Sequence, residues 1–502
     1  MHVKPPSLFD REPEWDDLTG FASAAGPRLR LGILYGRRRY GKSYLLRRLQ
    51  ESVGGLYHLA LQEERRSALD RFAAAVGRLQ AGTPPLRFDD WRAALGYAAA
   101  GLGDRGAGPQ VLVLDEYPYL RQGSAELDSA VQAVMDEAAG GDLGSGWAAP
   151  VAVIVCGSAM SVMTGILSGT SPMRGRAALD MPLAPFDYRQ SRRFWGIEDP
   201  AAAFAVDAVV GGAPGYKDLT AAAGAPSRPE DLAGWLSATV LNPSHALFRE
   251  DEYLLREDPR VTAEAPYYSL LQAIAGGRAS QGRIAEAAGR APGDIVHHLN
   301  VMTTAGFVVR DEDLLTARRP AYRVADPIVR FHHLITRRRR AMLEDRRAAE
   351  VWAGAGDTFR SGIVGPHLES VCRRWVDRYA GPETLGGPVG PARRVQVNDR
   401  SRRQSFELDL AAAAVPAPTA GGRQPTVIHL LGESKASRLD TADLARLDRI
   451  AALLNERDGV SVAPAARRLL FSLEGFTPEL AAEARNRHDV ELVDLDRLYE
   501  GD

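Results

Sequence analysis

Lysine is almost absent from this chain. Of its 62 basic residues only four are lysine, and the other 58 are arginine. Since arginine fills the positions where any surface positive charge would do, a lysine indicates chemistry that needs a compact ammonium. Lys42 lies near the end of G-R-R-R-Y-G-K-S, and Lys435 closes the tripeptide E-S-K after an apolar run. The first context predicts a nucleoside triphosphate site, and the second predicts a metal-dependent nuclease.

Cysteine, long apolar runs and net charge are also scarce. The two cysteines, Cys156 and Cys372, cannot build a disulfide framework, which predicts a reducing cytoplasm. No apolar stretch approaches the roughly 20 residues of a membrane-spanning helix, and the N-terminal residues lack the apolar core of a signal peptide. We therefore expect a cytoplasmic protein without a membrane partner. The net charge of −2 means that any binding to nucleic acid must come from local patches.

Two stretches of the chain have the pattern of an α/β fold. A length of 502 residues favours about three domains. Apolar runs alternate with helical patterns up to about residue 180, as in a parallel sheet. The strands predicted there are Leu29–Leu34, Gly55–Ala60, Val111–Asp115 and Val151–Cys156. A second α/β pattern starts near residue 355, with strands predicted at 394–397, 406–410 and 427–431 and later apolar runs at 468–473 and 490–493. Residues 416–425, rich in proline, glycine and alanine, predict a surface loop.

The first lysine motif has the surroundings of a phosphate-binding loop. Residues 36–43 match G-x-x-x-x-G-K-[ST], with an apolar strand before them and a helical pattern after them. The glycines let backbone N–H groups wrap phosphates, and the helix N-terminus adds a positive dipole end. Lys42 would reach the β- and γ-phosphates of ATP, and the Ser43 hydroxyl would bind Mg²⁺. The residues predicted to bind the nucleotide are Gly36, Arg37, Arg38, Arg39, Tyr40, Gly41, Lys42, Ser43, Tyr44, Asp115 and Ser158.

Two later strands end in polar residues that suit the same site. After V-L-V-L, Asp115 would hold Mg²⁺ through water, and Glu116 would orient or deprotonate the attacking water, which favours hydrolysis over mere binding. After the strand at 151–156, Ser158 could sense the γ-phosphate or simply end the strand. In M-R-G-R at 173–176, the arginines could neutralise phosphate charge or lie in a solvated loop.

The order of the motifs resembles a known family. The motifs are F-D-R-E-P-E-W (9–15), Y-G-R-R-R-Y-G-K-S (35–43), D-E-Y-P-Y-L (115–120), C-G-S (156–158), S-P-M-R-G-R (171–176), L-A-P-F (183–186) and G-G-A-P-G-Y (211–216). Across nearly all of residues 9–350 they resemble the archaeal-type ATPases, P-loop proteins of the AAA+/STAND-related group. The resemblance implies an ATPase core with a helical lid. It makes Arg176 a catalytic candidate, acting in its own subunit or across a homo-oligomer.

A helix-turn-helix pattern follows. Helices predicted at Pro266–Ile274, Gln281–Ala288 and Pro292–Thr303 precede two strand-like segments, 307–310 and 321–324, and together resemble a winged helix-turn-helix. The apolar residues expected to pack the helices are Ile284, Ala285, Ala288, Ile295, Leu299 and Met302. The third helix would expose Asp294, His297, His298 and Asn300, a face poor in the basic residues of DNA contacts. Basic residues lie instead in the wing (Arg318, Arg319 and Arg323) and at 337–340. DNA-backbone contact through the wing and packing against protein both stay open.

The second lysine motif belongs to a C-terminal group of carboxylates. Mg²⁺-assisted phosphodiester hydrolysis needs converging carboxylates and often a lysine. Asp409 lies in an alternating strand, Glu433 and Lys435 end the next one, and Glu369 lies on an amphipathic helix upstream. This pattern is similar to the PD-(D/E)XK nuclease superfamily over about residues 355–500. The resemblance implies that Asp409 and Glu433 bind the metal, Lys435 serves the nucleophilic water and Glu369 completes the shell.

Two interpretations of this C-terminal region stay open. It is either an active nuclease or a degenerate remnant of the nuclease fold without activity. The sequence nearby shows no dense basic groove beyond a few arginines, and the insert before the third strand is long and apolar. Those arginines are Arg393, Arg394, Arg400, Arg402 and Arg403.

Together the patterns predict an α/β multi-domain protein. Its segments would be a P-loop parallel-sheet core (1–184), a helical lid (185–258), a winged helix-turn-helix (259–335), a linker helix (336–354) and a restriction-endonuclease-like α/β domain (355–502). The leading hypothesis is an ATPase that acts on DNA through its winged helix and a C-terminal Mg²⁺-dependent endonuclease. The alternatives are an ATP-dependent switch or regulator with an inactive nuclease-like domain, and a chaperone-like ATPase that acts on protein.

Overall fold

The structure is a computed structural model that forms two compact units. It describes residues 2–79, 85–105, 108–141, 149–169, 171–261, 263–316, 320–399, 402, 404–415 and 425–502. The first unit comprises Met1–Phe186, Ala213–Tyr216 and Tyr253–Thr262, and the second comprises Asp187–Gly212, Lys217–Glu252 and Ala263–Asp502. Within the described residues, no helix has the length and apolar character needed to cross a membrane.

The first unit is built on a five-stranded parallel sheet. Its strands are β1 (Leu29–Tyr35), β2 (Gly55–Leu59), β3 (Gln110–Asp115), β4 (Val151–Gly157) and β5 (Ala177–Pro182), in the order β2-β3-β4-β1-β5. The four strands predicted from apolar runs are confirmed. The fifth was not predicted, because β5 is an edge strand in which only Met181 is buried, so it has no apolar run.

Helices cover both faces of this sheet. They are α1 (Glu12–Ser23), α2 (Lys42–Val53), α3 (Arg65–Leu79), α4 (Trp91–Gly103), α5 (Tyr117–Gly123), α6 (Leu127–Gly140) and α7 (Met160–Ile166). Successive strand residues point to opposite faces. Leu112 and Leu114 therefore join the core under α3 to α7, whereas Val111 and Val113 join the core under α1 and α2. Burial on both faces explains why the strands are continuously apolar.

The chain then forms five helices and a small three-helix group. The five are α8 (Tyr188–Trp195), α9 (Pro200–Val210), α10 (Gly215–Leu219), α11 (Leu232–Ala238) and α12 (Glu250–Arg256). Next come α13 (Glu264–Ala275), α14 (Gln281–Ala287), α15 (Val296–Thr304) and an antiparallel hairpin of β6 (Val308–Asp311) and β7 (Ala321–Val324). Five of the six apolar residues expected to pack this group are buried, and Ala288 is half-buried. Arg318 and Arg319 lie outside the described residues.

The C-terminal part contains a second, mixed sheet. Helices α16 (Pro327–Phe331), α17 (Arg340–Glu344), α18 (Ala348–Ala353), α19 (Gly356–Thr358), α20 (Gly365–Arg378) and α21 (Pro382–Leu385) lead to it. The sheet region contains β8 (Arg393–Asp399), β9 (Gln404–Ala413), β10 (Thr426–Lys435), α22 (Thr441–Asn455), β11 (Val460–Ser472), α23 (Pro478–Arg485), β12 (Val490–Val493) and α24 (Leu495–Glu500). The strand order is β12-β11-β10-β9-β8. The neighbours from β8 to β10 are antiparallel, and those from β10 to β12 are parallel.

One long helix packs on each face of the mixed sheet. Leu444 and Leu447 of α22 share a core with Leu470 of β11. Trp375 of α20 meets the next residue of β11, Phe471, edge-on, with ring centroids 5.7 Å apart. The three predicted strands are confirmed, and the two later apolar runs lie in β11, apart from its last residue Leu473, and in β12. Of the predicted surface loop, residues 416–424 lie outside the described residues.

Candidate functional site

The loop between β1 and α2 is shaped by its glycines. A Cβ on Gly36 would lie 2.5 Å from the backbone oxygen of Leu183, so no larger residue fits there. Gly41, which precedes α2, has φ = 90°, a left-handed conformation that side chains rarely adopt. The loop thus ends at the N-terminus of α2, where unsatisfied N–H groups and the helix dipole favour an anion.

The lysine of this loop is buried against the loop itself. Lys42 is 5% exposed, and its Nζ donates a hydrogen bond to the backbone oxygen of Arg37 at 3.1 Å. In this conformation the Lys42 ammonium contacts the backbone of the loop. It therefore lies at the place where the loop would enclose a phosphate. The loop therefore fits a phosphate-bearing ligand.

Ser43 and Asp115 both contact one tyrosine. The Tyr57 hydroxyl on β2 donates to the Asp115 carboxylate and also bonds to Ser43. Burial, with the negative charge of Asp115 added, raises the pKa of Tyr57, so its hydroxyl stays a donor. Hydroxyl and carboxylate oxygens are the ligands that Mg²⁺ prefers, so this pair fits that ion. Tyr57 was not predicted, because nothing in its local sequence indicates that β2 lies beside β3.

Glu116 is held in an unusual backbone conformation at the end of β3. Its φ of 54° and ψ of 43° are left-handed, and the residue is half-buried. Burial, reinforced by Asp115 and opposed by Lys42, raises the pKa of Glu116. The Ser158 hydroxyl donates to Glu116 Oε2 at 3.4 Å. The structure therefore brings together three predicted residues, from the ends of β3 and β4 and from the loop.

A cavity of about 640 Å³ opens beside these residues. Its lining includes Arg38, Glu116, Ser158 and Glu257. Glu257 and Arg38 form an ion pair of 3.2 Å. Burial raises the pKa of Glu257 to about 7, with Arg38 acting against the shift. Glu257 was not predicted, because it lies in no motif and far along the chain from the loop.

The G-G-A-P-G-Y segment touches the same loop. The Gly215 N–H donates to the Arg39 backbone oxygen at 3.1 Å, and the Arg39 guanidinium lies 5.7 Å from the centroid of the Tyr216 ring. A Cβ on Gly215 would lie 3.0 Å from Arg39 Cβ, which makes the approach tight. This contact explains why Ala213–Tyr216, the last four residues of the segment, belong to the first unit.

Two predicted residues lie elsewhere. Arg176 forms an ion pair with Asp136 of α6, and it is not among the described residues that line the cavity. The Tyr44 side chain is exposed, and its hydroxyl donates to the Ser7 backbone oxygen at 3.0 Å. Neither contact brings the side chain to Glu116 or Lys42.

The C-terminal acids come together at neighbouring strands. Glu369 lies on α20, Asp409 on β9 and Glu433 near the end of β10, which pairs with β9. Burial, reinforced by the charge of Asp409, raises the pKa of Glu369 to about 7 and the pKa of Glu433 to about 7. The charge of Asp409 therefore acts on both glutamates, and carboxylate oxygens are the donors that Mg²⁺ prefers.

Side chains of α22 and the backbone of β10 already engage these groups. Glu433 forms an ion pair with Arg446, and Lys435 forms one with Asp443. The Ser434 backbone N–H and hydroxyl both donate to Asp409 Oδ2 at 2.8 Å. Neither Arg446 nor Asp443 was predicted, since only the fold brings α22 beside the end of β10.

The candidate metal centre is not assembled as it stands. In the part of the chain that the structure describes, no group of three or more His, Cys, Asp or Glu side chains is arranged to hold a metal ion. Binding of a cation by Asp409 and Glu433 would require Arg446 to move.

Comparisons with known proteins give the following likenesses. No family model matches the chain. An uncharacterised protein of Methanocaldococcus jannaschii, MJECL04, is 22% identical over 311 residues, which are 60% of this chain and 62% of that relative. The chain therefore spans less than two thirds of that relative's length.

Among solved structures, the Walker-type ATPase PABY2304 of Pyrococcus abyssi is similar at 20% identity, with a TM-score of 0.46, over 66% of this chain and 97% of that one. The ORC2 protein of Aeropyrum pernix, in ADPNP–ADP complexes, is similar at 14% identity, with a TM-score of 0.43, over 70% of this chain and 97% of that one. The five-stranded parallel sheet, with its glycine loop between β1 and α2, has the α/β architecture of a P-loop ATPase.

Gly36→Ala tests the close packing of the loop. Because the new Cβ would meet a backbone oxygen that cannot move away as a side chain can, we expect the free energy of unfolding to decrease by about 2 kcal/mol. For a unit of this size the loss corresponds to a decrease in Tm of roughly 4–8 °C. Gly77→Ala in α3, where a Cβ would meet nothing within 4 Å, is the matched control and should leave Tm unchanged or slightly higher. Equal Tm values for the two variants in thermal unfolding would contradict the packing argument.

Proposed function

We propose that the protein binds and hydrolyses ATP at the loop between β1 and α2 and acts on DNA through its C-terminal half. The observation that carries the ATPase half is the cluster of Lys42, Glu116 and Ser158 at one edge of the parallel sheet. A half-buried carboxylate beside a phosphate-binding lysine suits hydrolysis better than binding alone. In this proposal the ATPase core is 1–184 and the helical lid is 185–258.

Each residue of the cluster has a role in the proposed reaction. Backbone N–H groups of residues 36–43 bind the phosphates, and Lys42 exchanges the Arg37 carbonyl for the β- and γ-phosphates. Ser43 and Asp115 would hold Mg²⁺, which supplies charge neutralisation for the phosphates. Glu116 orients the attacking water and accepts its proton, for which a raised pKa is favourable near neutral pH.

Arg176 remains a separate proposal. Its ion pair with Asp136 is largely solvated, with side-chain exposures of 33% and 52%. Such pairs contribute roughly 0–1 kcal/mol, so the guanidinium is readily released. We propose that the Arg176 guanidinium neutralises the phosphate charge of ATP, either in its own nucleotide site or in that of a neighbouring copy, as the family resemblance implies.

Lysine and glutamate variants test the ATPase proposal. We expect Lys42→Ala to weaken ATP binding at least tenfold, and Lys42→Arg to do the same, because Lys42 is buried and an arginine places a wider, planar group at that position. Glu116→Gln should keep ATP binding but lower the hydrolysis rate by about 10²–10⁴-fold. Binding is measured with a fluorescent ATP analogue and hydrolysis by phosphate release. Glu51→Gln, at an exposed position, is the control. Wild-type hydrolysis in Glu116→Gln would refute the assigned role.

The DNA half of the proposal starts with the three-helix group. Helices α13 to α15 and the β6–β7 hairpin have the element order of a winged helix-turn-helix, which we propose at 259–335. The exposed residues of α15 include His297 and Asn300 but no lysine or arginine. We therefore propose that the hairpin, rather than α15, contacts the DNA backbone. The single linker helix predicted at 336–354 is replaced by two short helices, α17 and α18, and we propose that this range is the linker.

The nuclease-like half is proposed at 355–502. The support is the order α20-β8-β9-β10-α22-β11, together with acids from α20, β9 and β10 that approach one another. Asp409, Glu433 and Glu369 would hold Mg²⁺, which supplies charge neutralisation for the phosphodiester. Lys435 would then orient the attacking water once it leaves Asp443.

A second candidate function follows from the ion pairs of α22. Arg446 and Asp443 neutralise Glu433 and Lys435 without any metal. This observation favours an ATP-dependent switch or regulator whose nuclease-like domain is inactive.

Metal binding distinguishes a nuclease-like domain that can bind a metal ion from an inactive one that cannot. In isothermal titration without nucleotide, we expect the wild type to bind Mn²⁺ at a site that Asp409→Ala abolishes. Arg446→Ala should strengthen that binding severalfold, because Glu433 is then released. Asp458→Ala, at an exposed position, is the control. Identical titrations for the wild type and Asp409→Ala would support the switch.

A further inference from the structure

An arginine-rich cleft lies beside the candidate metal centre. It has a volume of about 510 Å³, and its walls come from the β6–β7 hairpin, α20 and β8. Seven of its lining residues are arginine, two from the hairpin, three from α20 and two from β8. The lining also contains three carboxylates, Asp311, Glu312 and Asp377, so arginines outnumber acids by four within the lining. Three of these arginines also face acids outside the lining, in the pairs Arg373–Glu369, Arg378–Asp187 and Arg394–Glu407. The whole chain, in contrast, has a net charge of −2.

The arginines of the cleft differ in how they are engaged. Arg323 pairs with Asp311 and Arg393 pairs with Glu312, each at 2.7 Å. Arg310 of β6 and Arg374 of α20 are exposed, and neither side chain forms an ion pair or a hydrogen bond with another described residue. Two guanidinium groups on two different walls are therefore available for an anion.

One arginine connects the cleft to the acids. Arg373 lines the cleft, and its Nη1 donates to the backbone oxygen of Asp409 at 2.8 Å and lies 3.8 Å from Glu369 Oε2. An anion held by this wall would therefore lie next to two of the three candidate metal ligands. A cleft with so many arginines was not expected, because these arginines lie in three separate segments of the sequence.

We propose that this arginine cleft binds the phosphodiester backbone of DNA and presents it to Glu369 and Asp409. Arginine suits the task because its planar fork meets phosphate oxygens in pairs. The hairpin and the nuclease-like domain then form one binding surface, with Arg310 and Arg374 as its free contacts. This inference rests on the proposed action on DNA and identifies the surface that binds it.

A double variant tests the cleft. Fluorescence anisotropy of a labelled 30-base-pair duplex is measured with the full chain in EDTA, which prevents cleavage, at several salt concentrations. For Arg310→Ala/Arg374→Ala we expect Kd to rise at least tenfold. The slope of log K against log salt should shrink by roughly two, since each lost phosphate contact contributes about 0.9. The control is Arg66→Ala/Arg485→Ala, which removes two exposed arginines outside the lining and should match the wild type.

The possible results distinguish the proposal that the cleft binds DNA from the broader proposal that the protein acts on DNA. If the wild type binds DNA and the two double variants bind equally well, the cleft assignment is overturned and the DNA proposal survives. If the wild type binds no duplex even at low salt, or prefers RNA of the same length, the DNA proposal itself falls. Equal Tm values for all three proteins exclude unfolding as the cause of a weaker Kd.

Discussion

Both candidate sites depend on carboxylates that are at least partly withdrawn from water and lie near a cation. Glu116 lies near Lys42, Glu369 near Arg373, and Glu433 against Arg446. A buried charge without a partner costs several kcal/mol, so Glu433, the buried member of the three, must take up a proton or another cation when Arg446 leaves. A metal ion is such a cation. In the proposed reactions a metal ion therefore replaces Arg446 at Glu433, and a phosphate replaces the Arg37 backbone carbonyl at Lys42.

The four lysines show what the compact ammonium is used for. Lys4, Lys42 and Lys217 each donate to backbone carbonyl oxygens, and Lys435 pairs with Asp443. For a buried lysine such as Lys42, a single carbonyl is reached better by a narrow ammonium than by a planar guanidinium. Lys435 differs, because its side chain is 42% exposed and its partner is a carboxylate. Lys4 and Lys217 lie in neither candidate site, so a lysine in this chain does not always indicate catalysis.

Much of the fold follows from the sequence, because buried parallel strands are apolar without interruption. Four strands of the first sheet and the strands of the second lie where the apolar runs predict them, and the edge strand β5 has no such run. The loop glycines and the neighbouring acids can also be predicted, because each is part of a local sequence motif. The side chains that pair with those acids cannot be predicted in this way. Glu257 on Arg38, Arg446 on Glu433 and the arginine cleft join segments that are distant in sequence, and no spacing rule connects them.

The most direct measurement of the central claim is DNA cleavage by the full chain. Linear and supercoiled DNA are incubated with Mg²⁺ or Mn²⁺, with and without ATP, beside Lys435→Ala. The account predicts metal-dependent cutting that the variant loses, and any ATP dependence would show that the nucleotide site controls it. The absence of cutting under every condition, or equal cutting by Lys435→Ala, would contradict the assignment of Asp409, Glu433 and Lys435 to a nuclease centre.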